Sequence, residues 1–328
     1  MKLVQFAGAV IASALFTGAQ AQQPASQSIV VKFSHVVADE TPKGKGAIRF
    51  KELAEAKTKG RVKVEVYPNS QLYKDREELE ALQLGAVQML APSVSKFGPL
   101  GVRKFEVFDL PYMFPDNKSL EHVVEGPVGT GLFKLLEPKG IVGLAYWFNG
   151  FKEFTANRPL RKLDDFKGMK IRIQSSKILE GEIKAFGAIP QVMAFSEVYT
   201  ANTPSNKYTQ KMHEVQKHMT LSDHGVVMYA VIVNKKFWDG LPADIRKALS
   251  EAMAEATKYV WDIARRENED ALAKIKAAKT TEVYVLPPAE KAAWRKAMLP
   301  LYREYEGVVG KDTLQAIEKT VAQSAVKK

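Results

Sequence analysis

Between residues 29 and 91, short apolar runs alternate with helical stretches, and no other feature limits the fold as strongly. Residues 29–34 (IVVKFS) are rich in β-formers and predict a first strand. Thr41-Pro42 opens a helix over 43–57, with Ile48, Leu53 and Ala54 as its buried stripe and Gly60 as its stop. Residues 61–67 (RVKVEVY) alternate charged and apolar, the mark of a strand covered on one face. After the turn Pro68-Asn69-Ser70 comes a helix over 75–84 with acids in its first turn, and then a short apolar strand over 86–91. A β-α-β-α-β order predicts an α/β fold on a mostly parallel sheet.

A buried strand over 141–148 (IVGLAYWF) ends at Asn149-Gly150, where a second set of elements begins. Its expected parts are strands over 169–173 (MKIRI), 191–195, 228–234 (MYAVIVN) and 282–286, and helices over 177–186 and 208–218. A helical pattern running from Pro242 to about residue 276 is longer than a typical globular helix and suits a bridge between domains. Further helices are expected over 119–124, 131–137, 289–305 and 311–325. The expected division is a first lobe from 29–148 plus about 228–265, a second from 149–227 plus about 266–305, and a C-terminal helix in 306–328 packing back on the lobes. Clefts between such lobes are where small ligands bind.

The start of the chain reads as an export signal. Lys2 precedes an apolar stretch over 3–16, and Ala19-Gln20-Ala21 is an A-x-A cleavage site, so residues 1–21 are expected to be removed after Ala21. The run is shorter than the roughly 20 residues a membrane span needs. The mature chain is expected in the periplasm. There is no Cys, which excludes disulfides, thiolate metal sites, a thiol nucleophile and a lipidated cysteine. The net charge of +11 is scattered among acids, as in Lys74-Asp75-Arg76-Glu77, and does not form the basic block that nucleic acid requires.

Motifs for bound phosphate or catalysis are missing. There is no G-x-x-x-x-G-K-[ST] and no G-x-S-x-G. His213-Glu214 and His218 resemble a zincin pair, but five residues of separation rotate the second His off the face of the first. No metal and no cofactor are expected.

Arg172 is the residue with most chemical content. It lies on 169–173, facing opposite to Ile171 and Ile173 on what reads as a buried strand. A guanidinium among apolar neighbours needs an anion, and its fork fits a carboxylate. That anion is either an internal acid or a ligand, unless the strand is an edge with Arg172 in solvent. Lys152, in Asn149-Gly150-Phe151-Lys152, supplies a second cation or a plain surface lysine. Phe195 precedes a helix start at Ser196 and reads as core or cleft.

Several segments occur together in a fixed order: Pro68-Asn69-Ser70-Gln71-Leu72, Asp109-Leu110-Pro111-Tyr112, Lys167-Gly168-Met169-Lys170-Ile171-Arg172, Met193-Ala194-Phe195-Ser196-Glu197-Val198-Tyr199 and Gln210-Lys211-Met212-His213-Glu214-Val215-Gln216-Lys217. With them the chain resembles the extracytoplasmic solute receptors of TRAP transporters, the DctP-type family, and within it the branch that binds C4-dicarboxylates. The resemblance implies two α/β lobes, a cleft that closes on an organic acid, and delivery of that acid to the membrane permease subunits of the transporter. It implies that Arg172 binds a carboxylate, that Lys152 is a second cation, and that Ser93, Asn202, Phe195 and His35 lie at or near the ligand. A monomer with no nucleic-acid partner is expected. One departure stands out. The family pattern reads F-S-E-V-Y-x-A-L-Q-x-G-x-V-D-G-x-E-N, whereas here Tyr199-Thr200-Ala201 runs straight into Asn202, so a helix end, a turn and a strand are missing. Other readings are a receptor for a 2-oxo or aromatic acid, and a secreted enzyme on an acidic substrate with His35 or His224 as its base.

Overall fold

The computed structural model describes residues 28–197 and 202–326. The export signal over 1–21 and the junction Tyr199-Thr200-Ala201 lie outside the described residues. The chain begins β1 (Ile29–Ser34), α1 (Pro42–Lys57), β2 (Val62–Tyr67), α2 (Glu78–Leu84), β3 (Met89–Leu90), α3 (Asn117–Glu125), α4 (Pro127–Lys134) and β4 (Ile141–Phe151). It continues through β5 (Phe154–Ala156), β6 (Lys170–Ile173), α5 (Lys177–Ala185), β7 (Ile189–Val192), α6 (Pro204–Thr209), α7 (Met212–Val215) and β8 (His218–Leu221). It ends with β9 (Val226–Asn234), α8 (Lys235–Gly240), α9 (Ala243–Ala278), β10 (Glu282–Val285), α10 (Pro288–Val309) and α11 (Lys311–Val326).

Five strands form the sheet of the first lobe in the order β2-β1-β3-β9-β4. β1 runs parallel to β2 and β3, while β9 is antiparallel to both β3 and β4. The sheet is therefore mixed, where a mostly parallel one was expected. The cause is the path of the chain: it leaves this lobe at the end of β4 and returns at the start of β9, so Phe151 and Val226 are cross-strand partners and the two strands must run in opposite senses. Apolar side chains cover both faces, with Phe108, Tyr146 and Phe148 on one and Phe33, Phe50 and Trp147 on the other.

The second lobe is built on two separate sheets, β10-β8-β5 and β6-β7. Among the described residues β5 and β6 are not paired. One apolar core nevertheless spans both pieces, centred on Phe154, Phe166, Phe186 and Trp294, whose rings meet mostly edge to face. The expected helix over 208–218 is two short helices followed by a strand. Lys211 adopts a left-handed conformation between α6 and α7, and pairing of His218–Leu221 with β10 and β5 overrides the local helical pattern. The three-residue strand β5 is too short to read from periodicity.

α9 spans 36 residues, about 54 Å at the α-helical rise. It packs on α1 and β4 of the first lobe and on α6 of the second. Where β4 leaves the first lobe, Gly150 has φ +124°, and a Cβ there would stand 2.6 Å from Asn268 Nδ2 of α9. That close approach lets Asn268 donate to the Asn149 carbonyl (2.7 Å) and accept from the Ser205 amide (3.0 Å), so one α9 side chain ties β4 to α6. α11 packs on α3 and α4. No helix among the described residues is long and apolar enough to cross a membrane.

A two-stranded sheet has little pairing to hold it. β6-β7 is expected to open before the five-stranded sheet. In native-state hydrogen exchange, the Ile171 and Ile173 amides should exchange at least about tenfold faster than those of Val231 and Val233. Equal protection would contradict this.

Candidate functional site

A cavity of about 30 Å³ lies between the lobes. Ser93, Lys152, Arg172, Phe195 and Asn202 line it, together with Asp75, Lys96, Gln174, Tyr229 and three valines, Val36, Val37 and Val227. A larger cleft of about 680 Å³ shares Asp75, Lys96, Arg172 and Gln174 with it and runs between α2 and the ends of β6 and β7.

Strand β6 sets the position of Arg172. Ile171 and Ile173 point into the second-lobe core, so alternation turns Arg172 to the other face. The side chain is 8 % exposed, and its Nε donates to the Met193 carbonyl at 3.0 Å. Among the described residues no carboxylate lies within ion-pair distance of it. Burial pulls its pKa below the ordinary arginine value, against the opposing pull of Asp75 and Tyr229.

The other two cations arrive with acids of their own. Lys152 Nζ lies 3.3 Å from Asp109 Oδ1, which also accepts from Ser95 Oγ at 2.7 Å, and Ser95 in turn receives the Ser93 hydroxyl at 3.2 Å. Lys96 pairs with Glu78 at 2.6 Å and with Asp75. Burial opposes its charge, but Glu78 and Asp75 outweigh that and hold its pKa above the usual lysine value. Asp75 also accepts the Phe195 amide at 2.6 Å. Its own burial opposes ionisation, yet Lys96, that amide and Arg172 hold its pKa down at about 2.

Asn202 enters the site through a short antiparallel bridge with Glu153. Its Oδ1 accepts from the Thr203 amide (2.8 Å) and from Asn206 Nδ2 (2.9 Å). The side-chain oxygen is thus engaged, and the NH₂ is the group it can offer. Phe195 packs with Val36, Val37 and Met212. His35 is not with the other five. It is fully buried and does not line the cavity; burial and Lys43 lower its pKa to about 3, which keeps it neutral. His224 is also outside the cavity lining, stacked on Phe154 at 3.9 Å and held neutral by burial. Neither His reaches the cavity as a base. Sequence reading missed Lys96, Asp75 and Asp109. Lys96 follows a short buried strand at its carboxyl end, the crevice position in α/β sheets, and that placement was the available signal.

The lobes touch through a strip on the cleft's rim. Lys74, Asp75 and Arg76 meet Glu197, the Phe195 amide and the Val192 carbonyl respectively. Glu106 of the first lobe caps α5 of the second, accepting from the Lys177 amide (2.8 Å), the Ile178 amide (3.3 Å) and Ser176 Oγ (3.3 Å).

The sequence pattern of the bacterial extracellular solute-binding proteins, family 7, matches residues 33–307. The chain belongs to this family. It is 57% identical over 326 residues to the C4-dicarboxylate-binding periplasmic protein DctP of Rhodobacter capsulatus, covering 96% of this chain and 98% of that protein. It is 40% identical over 307 residues to the C4-dicarboxylate-binding protein DctB of Bacillus subtilis (strain 168), covering 90% of this chain and 87% of that one. A TRAP periplasmic solute-binding protein of Shewanella oneidensis, solved with bound succinate, superposes with a TM-score of 0.87 at 42% identity over 90% of this chain and 99% of that one. A counterpart from Pseudomonas aeruginosa with bound L-malate gives 0.82 at 41% identity over 84% and 100%. The two-lobed architecture is thus that of TRAP periplasmic solute-binding proteins, and the family and these relatives are solute-binding receptors.

Asp75 links the family's cleft to acid stability. Its depressed pKa contributes stability that is complete above its ordinary pKa and is lost as the pH falls toward about 2. The contribution is roughly 2 kcal/mol. Unfolding free energies between about pH 4 and about pH 2 should fall less steeply in D75N than in the parent. Identical slopes would remove Asp75 from this role.

Proposed function

We propose that the protein is the exported receptor of a TRAP transporter, and that its cleft closes on a C4-dicarboxylate dianion and hands it to the membrane permease. The observation that carries this reading is Arg172, a buried guanidinium that faces a cavity and has no acid of its own within ion-pair distance among the described residues. A ligand carboxylate satisfies the fork in two parallel hydrogen bonds. Lys152 takes the second carboxylate, while the Ser93 hydroxyl and the Asn202 NH₂ donate to remaining lone pairs and Phe195 closes over the carbon chain. Succinate and L-malate in the solved relatives support this ligand class. The protein binds and releases its ligand and carries out no reaction on it. Contacts to both lobes favour the closed form by their difference in affinity between the two states, and closure removes water and strengthens the charge-assisted bonds.

In this reading residues 1–21 direct export to the periplasm and are cleaved after Ala21. The lobes comprise 29–148 with about 228–265, and 149–227 with about 266–305, and the C-terminal helix in 306–328 returns to the first lobe.

The test is a thermal-shift and calorimetric screen of succinate, fumarate, L-malate, a 2-oxo acid and an aromatic acid. A C4-dicarboxylate at about a hundredfold excess over its Kd should stabilise the protein by about 2.7 kcal/mol. Arg172→Ala should abolish the shift. Arg172→Lys should weaken binding by about tenfold to a hundredfold, because a point charge cannot replace the fork. Unchanged affinity in Arg172→Ala, or stabilisation only by the aromatic acid, would reject the reading.

A further inference from the structure

Three buried oxygens around Lys152 take no part in the contacts described so far. Among the described residues Asp109 Oδ2, Glu182 Oε1 and the Tyr112 hydroxyl have no hydrogen-bond partner. Asp109 is 2 % exposed and Glu182, on α5, is 3 % exposed. Glu182 feels both Lys152 and Asp109, and Tyr112 feels Glu182. None of the three lines the cavity.

The charge balance of the cavity gives this cluster a use. Three cations line it. Lys96 is matched by Asp75 and Glu78, and Lys152 by Asp109. Among the described residues Arg172 alone of the three has no acid at ion-pair distance. A dicarboxylate brings two negative charges to a site in which only Arg172 lacks an acid partner among the described residues, so at least one remains uncompensated when closure dries the site, and an unmatched buried charge is expensive. Added negative charge raises the proton affinity of neighbouring carboxyls. Asp109, paired with Lys152, and Glu182, on the helix that packs against the segment bearing Asp109, are two buried acids that can respond, each with an unengaged oxygen among the described residues.

We infer that the Asp109–Glu182 pair takes up one proton when the cleft closes on a dicarboxylate, so that the receptor holds its ligand as a dianion plus a proton. The inference rests on the function proposed above. Burial pushes Glu182 up to about 8 in the free receptor, which sets the window. Well below about 8 Glu182 already holds its proton and binding takes up little. Above about 8 the free receptor has lost that proton, ligand binding must restore it, and affinity falls as the pH rises. The groups around the pair are Lys152, Tyr112 before α3 and Tyr302 of α10, whose hydroxyl is held by the Pro111 carbonyl at 2.8 Å; Glu153 acts on Tyr112, and the His224 carbonyl accepts the Tyr112 amide at 2.9 Å. Burial and its neighbours keep His224 neutral throughout the window. Burial lowers Lys43, whose Nζ lies over the Tyr229 ring, to about 7, and Lys207, which feels Glu153, likewise to about 7, so both titrate in this window and have to be separated by experiment.

The experiment is calorimetry of the mature protein with succinate, in two buffers of different ionisation enthalpy, from pH 7 to pH 9. The parent should take up close to one proton per succinate at the alkaline end, and its affinity should fall about tenfold across the range. E182Q keeps the shape of the side chain, lies outside the cavity lining and should show little uptake, with affinity changing less than about twofold. D109N removes one of the two carboxyls and should bind succinate with reduced uptake; it carries the test if E182Q does not fold. Binding by the parent without proton uptake overturns the inference and leaves the receptor function standing. Undiminished uptake in E182Q and D109N overturns it as well, and moves the proton to another buried group such as Lys43 or Lys207. Absence of succinate binding by the parent counts against the function itself.

Discussion

A guanidinium kept dry between two lobes is the constraint on which the rest of this structure depends. Arg172 has one backbone carbonyl to donate to, and burial works against its charge. A site like this is costly to the folded protein unless an anion completes it. The surroundings lessen the cost without removing it. Asp75 stands near enough to favour the charge, but its oxygens are committed to Lys96 and to the Phe195 amide. The acid nearest Arg172 is thus held back from pairing with it.

The same device recurs around the cavity. Each lysine is fixed by acids beside the cavity, so a flexible side chain is held in one position. Ser95 and Asp109 orient Lys152, while Glu78 and Asp75 orient Lys96. The lobes that carry these groups are joined at β4, β9 and α9, and the Gly150–Asn268 contact lies where β4 meets α9 and α6. The cross-lobe contacts of Asp75 with Phe195 and of Glu106 with the start of α5 lie along the cleft, so the polar groups that shape the site also hold the lobes together.

Much of this was legible in the sequence where the signal is local. Period-two alternation in Met169-Lys170-Ile171-Arg172-Ile173 marks Arg172 as facing away from the core, and the β-α-β order marks the first lobe. What local pattern could not show is pairing at a distance. β9 reads as a strand from MYAVIVN, but its antiparallel direction follows from the chain's excursion through the second lobe. The helical pattern over 208–218 ends at His218, which instead opens a strand, His218–Leu221, that β10 and β5 flank. Asp75 reads as a helix-start acid, yet α2 begins at Glu78, and Asp75 is bound instead by Lys96 and by an amide 120 residues away. Among the described residues the strands of the second lobe form two sheets, with β6, the strand bearing Arg172, in the smaller one. The stability of that small sheet therefore bears directly on the geometry of the site.

The central claim is that a ligand carboxylate, and no acid of the chain, completes Arg172. A crystal structure of the protein grown with succinate tests it most directly. The account predicts one carboxylate bidentate on the Arg172 guanidinium with its second carboxylate toward Lys152. Succinate elsewhere, with Arg172 joined to Asp75 or turned to solvent, would contradict it.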